Sequence, residues 1–192
     1  MRMSREGPTA EEFINQVDES TLANIIYELG DEFFSKRIAK NIVLERSKTI
    51  IKTTRQLANI VRKSLPTTKN KKDSATKTFQ AIRIYLNDEI SELEKGLIAA
   101  EKILKPEGIL ALVSFHSIED RIIKKFFLKC AKKENYSRHL PEYPRKNYSL
   151  EIITKKPILP SQAEVKANIR SRSAKLRVAK RTVFPSYFGE TV

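Results

Sequence analysis

Apolar residues in the first 65 positions recur at the three- and four-residue spacing that is typical of short amphipathic helices. One such face consists of Leu22, Ile25, Ile26 and Leu29. Gly30 is placed to end this helix, and Asp31 is placed to cap the next, which carries Ile38 and Ile42. Thr9 with Glu12 and Thr53 with Gln56 have the spacing of capping boxes. The pattern predicts a small helical unit.

The longest apolar stripe follows a polar, basic segment at residues 66–74. Its members recur at steps of three and four and are Phe79, Ile82, Leu86, Ile90, Leu93, Leu97, Ala100 and Leu104. This spacing predicts one continuous helix of about seven turns, which ends at the turn containing Pro106 and Gly108.

An uninterrupted apolar run from Ile109 to Val113 comes directly after this turn. Such a run predicts a strand buried on both faces, as in the parallel sheet of an α/β protein. Ser117 and Asp120 are expected to cap the following helix, which places Cys130 on an apolar, core-facing side. Residues 131–148 are predicted to form a loop. Two further strands are predicted at residues 148–154 and 174–181.

The chain is strongly basic, with 37 Lys and Arg against 23 acidic residues and a net charge of +14 over 192 residues. This balance favours a polyanionic partner, either nucleic acid or an anionic membrane. No apolar run approaches the roughly 18 residues of a spanning helix, and residues 1–13 lack the apolar core of a signal peptide. Nucleic acid is therefore favoured, and a single cysteine suits a reducing cytoplasm.

Ser114, His116 and Ser117 follow the predicted strand, at the edge where open α/β sheets bind ligands. Because a neutral imidazole can accept or relay a proton, these residues are candidates for a catalytic role. A plainer interpretation is that Ser117 only caps the helix and that His116 is a polar loop residue. The helix opens with Glu119, Asp120 and Arg121, and its dipole alone explains the two acids.

Several basic and aromatic positions are candidates for nucleic-acid contacts. One basic stretch comprises Arg170, Arg172, Lys175, Arg177, Lys180 and Arg181, and another comprises Lys124, Lys125, Lys129, Lys132 and Lys133. Such runs are usually solvated faces, but the overall positive charge favours phosphate binding. Tyr136, Tyr143 and Tyr148 are placed to stack on unpaired bases. Gln80 and Arg83 either reach a ligand or form the exposed face of their helix.

The sequence predicts no metal site and no cofactor-binding residues in this chain. Its five glycines are not clustered into a dinucleotide fingerprint or a phosphate-binding loop. His116 and His139 lack metal-ligand spacing with a cysteine or an acidic pair.

Four stretches are distinctive: ELGDEFFSKRIAKNIVLERSKTIIKTTRQLANIV, ATKTFQAIRIYLNDEISELEKGL, LKPEGILALVSFHSIEDRIIKKFF and NIRSRSAKLRVAKRT. They resemble, in order, the inserted helical domain, the long helix, the strand with its following loop, and the C-terminal strand of the bacterial small-subunit ribosomal RNA cytosine-N4 methyltransferase family. Met1-Arg2-Met3 is also similar to the family's MRMD stretch, with Ser4 where Asp is usual. Asp73-Ser74 replaces a usual His-Pro, and Glu107 replaces a usual glycine.

The resemblance implies an α/β fold, in which residues 1–72 form the helical substrate-recognition insertion. Residues 73–192 would supply the C-terminal strands of a Rossmann-like methyltransferase sheet. S-adenosylmethionine is the implied methyl donor, and a cytosine of small-subunit ribosomal RNA is the implied acceptor. In the family the MRMD stretch lies well inside the chain, after the cofactor loop. This chain is therefore expected to be a truncated or split form, with a separate N-terminal half as a candidate partner.

The resemblance also implies roles for individual residues. Ser114, His116 and Ser117 are expected on the acceptor side of the pocket, with His116 accepting a hydrogen bond from the cytosine amine. Substrate contacts are expected from Arg2, Gln80, Arg83, Glu119, Asp120, Arg121, Arg170, Arg172 and Arg177. The alternative is a non-catalytic basic RNA-binding fragment or a decayed remnant of the enzyme. In either case the isolated chain is expected to expose apolar sheet surface and to associate.

Overall fold

A computed structural model describes residues 7–66, 73–131 and 148–188 of the chain. They fold into two compact units that divide between Ile90 and Ser91. Among these residues, no helix is both long enough and apolar enough to cross a membrane.

The first unit is helical, and its core is formed by aliphatic side chains. Its helices are α1 (Ala10–Gln16), α2 (Glu19–Gly30), α3 (Ser35–Arg46), α4 (Thr54–Ser64) and α5 (Thr76–Leu86). Fully buried core residues include Leu22, Ile26, Ile38, Ile42 and Ile82. Because α5 packs along α2, the compact unit continues past residue 72, where the sequence analysis placed a domain boundary.

Side-chain caps explain where two of these helices begin, and both capping boxes predicted from the sequence are confirmed. The Thr9 hydroxyl accepts the Glu12 N–H at 3.1 Å, and the Glu12 carboxylate accepts the Thr9 N–H at 2.7 Å. Thr53 and Gln56 exchange the same pair of bonds at the start of α4. The prediction that Asp31 caps α3 is wrong, because α3 begins at Ser35 and Asp31 takes a left-handed conformation with φ 49°.

The predicted seven-turn helix is two helices, α5 and α6 (Glu89–Ile103). The break lies at Asn87 and Asp88, where the Asn87 side chain donates to the Arg83 carbonyl at 2.7 Å and Asp88 adopts φ 49°. Asn and Asp favour helix ends because their side chains compete for backbone hydrogen bonds, and both tolerate left-handed backbone. The apolar periodicity continues across the break, which is why the sequence pattern did not reveal it.

The second unit contains a small antiparallel sheet. After α6 come β1 (Ile109–Ser114), α7 (Ser117–Cys130), β2 (Leu150–Ile152), α8 (Gln162–Ala167), a short 3₁₀ helix (Ile169–Ser173) and β3 (Lys175–Arg181). The strand order is β1-β3-β2, and both pairs are antiparallel. The three strands correspond to the three that the sequence predicted, within a few residues at each end.

The prediction of a parallel strand buried on both faces at Ile109–Val113 is wrong for the described residues. Leu110 and Ser114 face a core that contains Phe127 of α7, but Ile109 and Val113 are each 55% exposed. An apolar run shows that a strand is hydrophobic, not which of its faces is covered. One sheet face, the open face, thus carries the outward side chains Ala111, Val113, Leu176 and Val178.

Candidate functional site

The turn between β1 and α7 places the predicted SFHS residues at the end of a strand. Ser114 is buried, and its hydroxyl donates to the Lys175 carbonyl at 3.5 Å. His116 is the N-terminal cap of α7. The prediction that Ser117 and Asp120 cap this helix is therefore wrong. Phe115 and Ser117 are exposed. The turn therefore presents one aromatic ring and one hydroxyl outward while the other two side chains lie inside.

His116 and Glu119 lie against each other in the first turn of α7. Nδ1 of His116 accepts the Glu119 N–H at 3.3 Å, and Nε2 lies 3.2 Å from the Glu119 carboxylate. Nδ1 is therefore occupied by the cap of α7, whereas Nε2 is buried and has no hydrogen-bond partner among the described residues. The expected hydrogen bond from a cytosine amine to His116 stays a prediction.

Glu119 also fixes the backbone of the turn. Its carboxylate accepts the Phe115 N–H at 2.9 Å. Burial, the largest influence, raises the pKa of Glu119, but the nearby His116 side chain and the Phe115 N–H outweigh it and leave the pKa below its usual value. The carboxylate is therefore charged at neutral pH, and it contacts both the Phe115 N–H and the His116 ring of the turn.

A second set of charges joins α7 to β3. Arg177 donates to Asp120 from Nε at 2.7 Å and from Nη2 at 3.2 Å, and Lys175 Nζ lies 3.4 Å from the same carboxylate. The Arg177 hydrogen bonds hold the pKa of Asp120 below its usual value against the opposing effect of burial. The Arg177 side chain is only 7% exposed. Asp120 thus occupies the Arg177 guanidinium in this structure, and the contact of Arg177 with RNA stays a prediction.

The predicted basic stretch divides into inward and outward side chains. Arg181 is buried and donates to the Ser149 carbonyl at 2.8 Å, and Lys180 pairs with Glu107 at 2.5 Å. Exposed basic side chains among the candidates of the second unit include Arg121, Lys124, Lys125, Arg170 and Arg172, and Lys129 is also exposed but lies over the Tyr187 and Phe188 rings. This outward set keeps the exposure that phosphate contacts require.

The two polar candidates of the helical unit contact the protein itself. Gln80 Nε2 donates to the Leu29 carbonyl at 3.4 Å. Arg83 forms a two-bond ion pair with Glu89, at 2.8 and 2.9 Å, across the break between α5 and α6. Arg2, His139 and the loop candidates Tyr136, Tyr143, Lys132 and Lys133 lie outside the described residues.

Glu101 is a fully buried carboxylate that was not among the candidate residues predicted from the sequence. It accepts hydrogen bonds from the Ser186 hydroxyl and from the Tyr187 N–H at 3.1 Å, and Arg181 Nη1 lies 3.7 Å away. The available signal was its position, because Glu101 follows Leu97 by four residues and falls on the buried stripe. The predicted core position of Cys130 is confirmed, and burial is the main reason that its pKa rises to about 12.

Comparison with known proteins identifies the family. The model of the MraW methylase family matches residues 1–182, so the chain belongs to that family. The ribosomal RNA small subunit methyltransferase H of Rickettsia canadensis (strain McKiel) is 53% identical over 184 residues, which are 94% of this chain and 59% of the relative. The protein of the same name from Rhodopseudomonas palustris (strain ATCC BAA-98 / CGA009) is 48% identical over 97% of this chain and 56% of the relative. The chain thus spans less than three fifths of the length of these relatives.

Proposed function

We propose that this chain is part of an S-adenosylmethionine-dependent methyltransferase that modifies the N4 amine of a cytosine in small-subunit ribosomal RNA, in the cytoplasm. The observation that carries the proposal is the family match over residues 1–182, with relatives named for small-subunit ribosomal RNA methylation. The net charge of +14 agrees with an RNA substrate.

The chain supplies the helical recognition unit and the C-terminal strands of a Rossmann-like sheet. Two observations support this part of the proposal. The chain spans 56% and 59% of the two relatives. In the described residues β1 pairs with β3 along one edge, and the open face beside its other edge is apolar. Further strands, from a separate N-terminal half or from the same polypeptide, would pair there and cover apolar surface.

The described residues do not form a site for S-adenosylmethionine by the usual glycine-rich route. Gly30 lies against α5, where an added Cβ would meet the Lys77 carbonyl oxygen at 2.8 Å, and Gly108 lies in the tight turn before β1. The strand-to-helix turn at residues 114–117 contains no glycine. We therefore assign cofactor binding to the remainder of the enzyme.

The role of the β1–α7 turn is to position the acceptor base. A cytosine amine is a weak nucleophile because its lone pair is delocalised into the ring, so transfer depends on alignment and on exclusion of water. The base must leave its stack to reach a pocket. Phe115 and Ser117 project outward to contact it. Ser114 and His116 act behind them as positioning residues, together with Glu119 and the Asp120–Arg177 pair.

Backbone contacts to the RNA come from the outward basic set of the second unit, Arg121, Lys124, Lys125, Arg170 and Arg172. Each phosphate neutralised on a single strand adds about −0.7 to the slope of log affinity against log salt concentration. Substitution of Arg170 or Arg172 should reduce that slope, whereas substitution of the buried Arg177 should act through stability.

The test combines the chain with the N-terminal part of the Rickettsia canadensis relative, labelled S-adenosylmethionine and small ribosomal subunits that lack the modification. We expect N4-methylcytosine from the mixture and none from the chain alone. Transfer by the intact relative but not by the mixture would overturn the proposal. It would favour the alternative, a basic RNA-binding fragment without catalysis.

His116→Ala tests the positioning role in the same mixture. Loss of the α7 cap and of the contact between His116 and Glu119 should slow single-turnover transfer at least about tenfold, since small misplacements at a reacting centre have large effects on rate. Thr53→Ala is the matched control, because it removes a helix cap from the other unit. Equal transfer rates for His116→Ala and Thr53→Ala would refute the role.

A further inference from the structure

Two aromatic rings lie exposed at the end of α2 in the helical unit. The Tyr27 and Phe33 rings meet edge to face with centroids 6.4 Å apart, and Phe33 is 81% exposed while Tyr27 is 53% exposed. Lys77 Nζ lies 6.0 Å from the centre of the Phe33 ring. We call these three residues the aromatic patch. Large apolar side chains left in contact with each other and with water commonly mark a binding surface.

The segment that carries Phe33 is fixed before any ligand arrives. Asp31 takes its left-handed conformation, and its carbonyl accepts a hydrogen bond from Lys77 Nζ at 2.7 Å. Glu32 is buried, accepts the Phe34 N–H at 3.1 Å and lies 3.8 Å from Lys77 Nζ. A ring projecting from a segment held in this way loses little conformational entropy when it binds.

Two exposed cations follow the patch closely along the chain. Lys36 and Arg37 are exposed in the first turn of α3, directly after Phe33 and Phe34. Lys77 is half-exposed at the ring itself. Flat exposed rings with cations beside them match an unpaired nucleobase and its flanking phosphates. An apolar peptide would leave Lys36 and Arg37 without counterparts.

We propose that the aromatic patch is a stacking site for an unpaired base of the RNA substrate, with Phe33 as its platform and Lys36 and Arg37 facing the phosphates. The inference rests on the proposed function and deepens it, because it gives the helical unit a defined RNA contact outside the β1–α7 turn. Base stacking tolerates any base identity, so this site adds affinity and fixes the strand without selecting the sequence.

The chain contains no tryptophan, so Phe33→Trp introduces a single fluorescent reporter that keeps a stacking surface. We expect its emission to be quenched, with saturation, by a single-stranded RNA dodecamer. A dodecamer of abasic sites and inorganic polyphosphate carry the charges without the bases and should quench little. Equal quenching by polyphosphate would show a charge effect alone and overturn the inference.

Phe33→Ala should weaken binding of the same RNA by the 192-residue chain about tenfold, the loss typical of one stacked base. Its salt slope should stay unchanged, whereas Arg37→Ala should reduce the slope by about 0.7. Ile103→Ala is the matched control, because Ile103 is also 81% exposed but lies in the second unit. Unchanged unfolding midpoints would confirm that neither truncation disturbs the fold.

The outcomes separate this inference from the proposed function. Equal RNA affinity for wild type and Phe33→Ala would overturn the stacking site and leave the methyltransferase assignment untouched. Loss of binding to intact small subunits with normal binding of free RNA would assign the patch to a protein contact and also overturn it. No RNA binding by wild type, with methyl transfer intact in the mixture described above, would overturn the stacking site alone.

Discussion

Two basic neighbours keep Asp120 charged, and their contacts hold its carboxylate in place within the second unit. Its carboxylate links the first turn of α7 to β3 through Arg177 and Lys175. Since the Arg177 side chain is 7% exposed, removal of its partner would leave a guanidinium desolvated without compensation.

Asp120→Asn should therefore lower the free energy of unfolding by about 2–3 kcal/mol, near the lower end for breaking a buried pair. Urea unfolding followed by circular dichroism measures the change. Glu45→Gln is the control, because Glu45 pairs with Lys48 on an exposed surface and such pairs contribute little. Similar midpoints for wild type and Asp120→Asn would show that the pair does not stabilise the fold.

The same pair predicts how stability depends on pH. The folded-state pKa of Asp120 lies below its unfolded value, which is about 3.9 for a free Asp. Its contribution is then fully present above about pH 4 and is lost as the pH falls through the folded-state pKa. Urea midpoints should fall between pH 5 and pH 2 by less in Asp120→Asn than in wild type. Parallel pH profiles would contradict the assignment.

Cys130 should resist thiol reagents as long as the fold is intact. Burial and the nearby Glu101 carboxylate raise its pKa to about 12, so almost no thiolate forms at neutral pH. We expect a thiol-specific disulfide reagent to react only after denaturant is added. Reaction of the native chain at the rate of a free cysteine would show that the core opens around α7.

Substitution by alanine should have opposite effects on stability at two helical glycines. Gly30 ends α2 where α5 approaches, and an added Cβ would lie 2.8 Å from the Lys77 carbonyl oxygen. Gly96 lies in α6 with nothing within 4 Å of an added Cβ. Gly30→Ala should destabilise the chain by about 1–3 kcal/mol through overpacking. Gly96→Ala should stabilise it by up to about 1 kcal/mol through helix propensity. Thermal unfolding of both variants measures this contrast, and changes of the same sign would refute it.

Local signals predicted the elements of this fold better than their arrangement. The capping boxes at Thr9 and Thr53 involve side chains three residues apart, so the sequence alone reveals them. The pairing of β1 with β3 joins Ile109 to Lys180, and periodicity carries no information about such distant partners. The break at Asp88 depends on backbone conformation within a continuous apolar stripe.

The candidate site was predicted in position but not in detail. The strand end and its SFHS turn lie where the sequence placed them. However, the cap formed by His116 and the burial of Arg177 depend on contacts with Glu119 and Asp120. A basic run does not show which of its members point inward. In β3 the alternation of side chains along the strand decides which residues point inward, because Arg177, Ala179 and Arg181 share the buried face.

The open face of the sheet should govern how the 192-residue chain behaves in solution. Ala111 and Val113 are exposed on β1, whose outer edge has no partner strand among the described residues. We expect the isolated chain to self-associate as its concentration rises, since exposed apolar strand edges pair with one another. Sedimentation velocity over a hundredfold concentration range measures this association.

Val113→Thr keeps the branched shape and strand preference of the side chain while replacing one methyl group with a hydroxyl, so it should weaken self-association. Ile103→Ala removes a comparable exposed apolar group outside the sheet and should leave association unchanged. A chain that stays monomeric at every concentration would contradict the role of the open face.

The buried Glu101 carboxylate has a practical consequence for anyone shortening this protein. Its hydrogen bonds come from Ser186 and Tyr187, beyond residue 182, where the family match ends. A stop codon placed at that boundary would remove both hydrogen-bond donors from the buried Glu101 side chain while leaving Arg181 in place. Expression of such a trimmed version should yield less material and faster protease digestion, so the tail belongs in every recombinant design.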